Sequence, residues 1–128
     1  MIKDIITLDA DPEIFQEKVL DDIDFIDQTL IVLMDYLQGN DRLISREGFL
    51  KYQSEAESRF ERLMGDFLRH EGNFSIRGIP VIKEKLLALQ NSSIERQRII
   101  DSLGKDIYPE TDSPVVSSYE LAELLKAF

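Results

Sequence analysis

Residues 19–37 read VLDDIDFIDQTLIVLMDYL. Within this stretch Val19, Ile23, Ile26, Leu30, Leu33 and Leu37 recur at steps of 4, 3, 4, 3 and 4. That is the a/d spacing of a heptad, and it predicts an α-helix whose apolar seam has to be covered by other helices. Upstream, Asp11-Pro12-Glu13 supplies a cap, a residue pre-shaped for the first helical position and an acid at the positive end of the dipole. Downstream, Gly39 is suited to a left-handed stop. The first helix is therefore expected over 12–38, about 40 Å long at 1.5 Å per residue.

Working outward, Gly39 to Ile44 reads as a turn and Ser45 as the cap of a second helix over 46–71. Its expected seam is Phe49, Tyr52, Ala56, Phe60, Leu63 and Phe67, with Arg69 and His70 in the last turn. Phe74 to Gly78 is a second connection. Pro80 then marks the start of a third helix that Gly104 ends, with Ile79, Ile82, Leu86, Leu89, Ile100 and Leu103 on its seam. Ser93 and Gln97 fall where apolar residues are expected, and Ser92 with Glu95 has capping-box spacing. Two readings follow: one helix with a polar layer, which we take as the expectation, or a break near Asn91. Lys105 to Val116 reads as an acidic linker. Ser117 and Glu120 form a second capping box, and Leu121, Leu124, Leu125 and Phe128 then share one face of a short helix. Met1 to Ala10 fits either a packed extended arm or a frayed first turn.

Three long helices joined by short loops imply antiparallel neighbours. The expected fold is all-α: an antiparallel three-helix bundle over 1–104, an acidic linker over 105–116 and a C-terminal amphipathic helix over 117–128.

Composition narrows the function. With 128 residues, 43% of them hydrophobic, the chain can bury a core without staples. It has no Cys, which rules out disulfides, a thiolate nucleophile and a thiolate zinc site. A net charge of −10 argues against nucleic acid and against anionic membranes. The longest run of large apolar residues, Leu30 to Met34, is far short of a membrane span, and the first ten residues lack a signal-peptide layout. The expected location is the cytoplasm.

Charge is uneven along the chain. Residues 11–38 hold eight acids against one base, and residues 72–104 hold five bases against three acids. The first and third helices are thus expected either to pair along their flanks or to leave an acidic face for a basic partner.

Nothing points to catalysis. Asp21, Asp22, Asp24 and Asp27 are the one cluster that invites a divalent cation, with Glu57 and Glu61 the only tidy second pair. One helix converges at most two or three of these oxygens, so a Mg²⁺-dependent all-α pyrophosphohydrolase is a remote alternative and a solvated acidic face is the default. His70, the only His, lacks a Glu three residues before it and reads as a partner of the helix dipole. No phosphate-cradling glycine motif occurs. We expect no enzyme, no metal and no cofactor.

The more informative excess is apolar. Phe25, Ile31, Val32, Met34 and Tyr36 lie outside the first seam, so the helix is apolar almost all round from Leu30 to Leu37. Candidate partner-binding residues are therefore Phe25, Ile31, Val32 and Tyr36, together with Leu121, Leu124, Leu125 and Phe128. Either the last helix covers the first, or a second protein or a second copy of this chain does.

Ile14 to Gln38, Glu47 to His70 and Val81 to Leu103 are similar in order and length to the helices of the flagellar type III export chaperones of the FlgN type. Ile94-Glu95-Arg96-Gln97-Arg98-Ile99-Ile100 is similar to their third-helix segment, and the resemblance covers about residues 14–103. It implies a non-enzymatic cytoplasmic chaperone that holds helical termini of hook–filament junction subunits by helix-in-groove capture. The alternative is a self-associating, homodimeric structural or regulatory protein.

Overall fold

The computed structural model describes residues 12–39, 44–69, 78–104 and 114–126. Among them are four α-helices and no strand: α1, Pro12–Leu37; α2, Arg46–Arg69; α3, Gly78–Leu103; and α4, Ser118–Lys126. The chain is all-α. The arm at 1–10, most of the linker, His70 and Phe128 lie outside the described residues.

The helix ends follow the local chemistry. Gly39 takes φ 75° and its N–H donates to the Tyr36 carbonyl at 3.0 Å, closing α1. The Gly48 N–H donates to Ser45 Oγ at 3.1 Å, so Ser45 caps α2. Gly104 ends α3 at φ 85°. The Glu120 N–H donates to Ser117 Oγ at 3.3 Å, which starts α4.

α1 makes close contact with both α2 and α3, and α4 lies on α3. Side-chain pairs fix the directions. Asp22 meets Arg62 while Tyr36 meets Phe49, so α1 and α2 run antiparallel. Asp24 meets Lys85 and Asp27 meets Ser92, so α1 and α3 run parallel. The core takes Val19, Ile23, Ile26, Leu30 and Leu33 from α1, and Phe49, Ala56, Phe60, Leu63 and Phe67 from α2. From α3 it takes Ile82, Leu86 and Leu89. Each large aliphatic side chain removed from water contributes about 1.5–3 kcal/mol, so these seams account for most of the drive to associate.

Three expectations are corrected. Tyr52 is 40% exposed, and Gln53 is buried in its place. The strict heptad phase from Phe49 runs through 53, 56, 60, 63 and 67, and phase outweighs the apolar character of the neighbour. In α3 the same phase runs through 93 and 96: Arg96 is buried, whereas Gln97 is exposed and bonds Asp101. α3 is one helix through this polar layer, without a break at Asn91. Finally Val115 and Val116, read as linker, are buried with the core. Two adjacent β-branched residues have no helical period to reveal a buried role.

Candidate functional site

The polar layer of α3 is where the chain brings most of its elements together. Ser92 Oγ donates to Asp27 Oδ1 on α1. Arg96 Nη2 donates to Gln53 Oε1 on α2 at 2.6 Å. Ser93 Oγ donates to the Val116 carbonyl at 3.2 Å and lies 3.3 Å from Ser118 Oγ. Thus three polar residues on successive positions of one helix face reach α1, α2 and the C-terminal segment. Burial lowers the Arg96 guanidinium to about 10, and the nearby Glu57 carboxylate partly opposes that shift. Buried polar groups of this kind are stable only when bonded, so each bond also fixes the register of the element it reaches.

Residues 114–126, which we call the strap, are seated here. Val115, Val116 and Leu121 are buried in the core, Leu121 completely. Leu124 and Leu125 are half-buried against it. The opposite side of the strap is open: Tyr119 is 76% exposed, and the ion pair from Lys126 to Glu123 stays within α4. The strap is therefore an amphipathic helix, led in by two valines, lying on α3.

The candidates on α1 are placed differently from the expected patch. Phe25 lies under Arg59, whose guanidinium carbon is 3.7 Å from the ring centroid. Tyr36 stacks on Phe49 at 4.8 Å between centroids. Val32 is half-buried, and Ile31 is 38% exposed. On a helical wheel Phe25, Val32 and Tyr36 share one flank while Ile31 lies apart. Phe25 and Tyr36 are thus occupied by α2. The surplus apolar character of α1 is largely taken up by a second helix flank, and the strap covers α3. Other large apolar side chains stand exposed on α3, notably Val81, Leu87 and Ile94. Sequence reasoning passed over these because they fall outside the α3 seam.

The acidic cluster is also largely assigned. Asp22 is buried, with Arg62 Nη2 at 2.6 Å and Arg59 Nη1 at 3.6 Å from Oδ1. Lys85 Nζ donates to Asp24 Oδ1 at 2.6 Å, and Asp27 accepts from Ser92. The expected charge pairing of α1 with α3 is present at Lys85. The buried pairs lie instead between α1 and α2, where Lys18 also faces buried Asp66 at 3.7 Å. Among the described residues no group of three or more His, Asp or Glu side chains is arranged to hold a metal ion. Nor is any described helix long and apolar enough to cross a membrane. An open cleft of about 480 Å³ at the start of α2 is lined by Ile44, Ser45, Gly48, Lys51, Tyr52 and Glu55. Comparison with protein-family models, with curated proteins and with solved structures found no match.

Proposed function

We propose that this chain is a non-enzymatic protein-binding module. In this reading α1, α2 and α3 form an antiparallel three-helix bundle, and α4 is an accessory amphipathic helix. The observation that carries it is the strap. The body accepts a short amphipathic helix on α3 through Leu121 and a lead-in of Val115 and Val116. That is helix-in-groove recognition within one chain. The assignment of Asp22, Asp24 and Asp27 to protein partners favours binding over metal-dependent hydrolysis.

The most specific form is a cytoplasmic chaperone of the FlgN type, holding helical segments of flagellar or other type III export substrates. Its support is the similarity of residues 14–103 in helix order and length. Calorimetric titration of the full chain with the helical terminal segments of hook–filament junction subunits tests it. Saturable 1:1 binding supports the chaperone; no heat with segments that are themselves intact overturns that form. Self-association is the second reading, and the exposed Leu87 and Ile94 side chains of α3 favour it.

A further inference from the structure

One flank of α3 is turned away from α1, α2 and the strap. Lys85 and Ser92 face α1, Arg96 faces α2 and Ser93 faces the strap. At about 100° per residue, the remaining flank takes Lys83, Leu87, Ile94 and Arg98, all of them exposed. Leu87 is 43% exposed and Ile94 48%. The two stand one heptad apart, and each has a cation four residues to its outer side. We propose that this line docks an acidic amphipathic helix of a partner protein. The partner's apolar side chains lie on Leu87 and Ile94, and its carboxylates meet Lys83 and Arg98. This rests on the protein-binding reading above and names the chemistry of the partner.

The line is straight, and its two cations are about 22 Å apart at 1.5 Å per residue. A second helix laid along it buries side chains at a repeat of seven, the repeat that separates Leu87 from Ile94. Large apolar side chains left open along such a line mark a contact surface.

Charge decides the occupant. α3 is the one long helix in which bases outnumber acids. Among the described residues Lys83 makes no ion pair. Arg98 pairs with Glu95 at 3.1 Å in an exposed i, i+3 contact, which is worth little in water and readily exchanged. Glu84 and Glu95 lie about 80° further round the helix, on the side towards α1. Asp101, beyond Arg98, accepts from Gln97 at 3.0 Å. A second copy fits the line less well. The antiparallel twofold that sets Leu87 on the second copy's Ile94 also sets Lys83 on its Arg98, because each cation stands four residues outside its apolar neighbour. Like charges face to face oppose that pairing. An acidic helix pairs both cations.

Two alanine-based peptides of about 18 residues, long enough to hold helix in water, serve as probes. Both carry leucines seven residues apart. One has a glutamate four residues outside each leucine, and the other has a lysine there. The full chain is titrated with each labelled peptide by fluorescence anisotropy. The glutamate peptide is expected to bind and to weaken as salt is raised. The lysine peptide is expected to bind about tenfold more weakly or worse. Leu87→Ser with Ile94→Ser should abolish binding and leave the urea midpoint unchanged, since both side chains are already exposed. Lys83→Glu with Arg98→Glu should reverse the preference, making the lysine peptide the tighter one.

Equal binding of the two peptides by the wild-type chain overturns the proposal. So does glutamate-peptide binding that persists in L87S/I94S, which keeps the protein-binding module but moves its site elsewhere. A wild-type dimer in sedimentation that L87S/I94S converts to a monomer makes the line a self-association face and removes the acidic partner. If neither peptide binds while the hook–filament junction segments do, the module stands and this occupant falls. If the glutamate peptide binds with the stated reversal and those segments do not, the docking line stands and the flagellar form falls.

Discussion

The two halves of α3 bury the same face with different chemistry. From Ile82 to Leu89 the face is aliphatic, with Ile82, Leu86 and Leu89 buried in the core and α3 lying against α1. From Ser92 to Arg96 it is polar, and its side chains bond α1, α2 and the strap separately. The dry half contributes stability that depends on area and close packing, and it tolerates many apolar neighbours. The wet half contributes less per residue but is directional, so it fixes which element lies where. It is also the half that accepts the strap.

The largest expected effect lies in the dry half. Leu86→Ala should cost about 2–5 kcal/mol through lost burial and the cavity left behind. Urea unfolding should show it as a lower midpoint with an unchanged slope. Leu121→Ala should cost less, about 2 kcal/mol, because the strap can release locally instead of keeping a cavity. Hydrogen exchange distinguishes the two: amides of 118–126 should lose protection in Leu121→Ala while those of 82–89 keep it. A Leu121→Ala loss as large and as global as that of Leu86→Ala would merge the strap with the core and erase the contrast between the halves.

Smaller effects probe the polar layer. Gln53→Leu removes the acceptor of Arg96 and should cost about 1–2 kcal/mol, since a buried donor loses its partner. Adding Arg96→Met should recover most of that loss, because a packed apolar pair is often as stable as the polar one it replaces. A double variant no better than Gln53→Leu alone would show that Arg96 has a further partner worth as much. The smallest effect is in pH. Burial lowers the Arg96 pKa from its ordinary value to about 10. Below about 10 both folded and unfolded chains hold the proton and the burial penalty is present in full. As pH rises through about 10 the folded chain releases a proton that the unfolded chain keeps, so this group's contribution to stability rises. Relative to Arg96→Met, the wild-type chain should therefore gain stability between pH 9 and pH 11, measured by urea unfolding at each.

Phase explains most of what was legible. The α1 seam, the glycine stops at 39 and 104 and the serine caps at 45 and 117 all act within a few residues, and local rules reach that far. The misreadings also have a local cause. Choosing Tyr52 over Gln53 let residue type override the 3.5-residue period, and choosing Gln97 over Arg96 took two four-residue steps in succession after Leu89. The structure keeps the period and bonds the two displaced polar residues to each other. No spacing rule announces that pairing, because its members are 43 residues apart.

The sequence by itself determined an all-α chain, the three long helices with their ends, and an amphipathic C-terminal helix, since periodicity and capping are carried by neighbouring residues. Only the tertiary structure decided where the surplus went. Phe25 and Tyr36 were spent on α2, Asp22 on two arginines, and the strap on α3 rather than across the candidate face of α1. Each is a choice between partners of similar chemistry distant in sequence, made by which seams close together and by the requirement that buried polar groups be bonded.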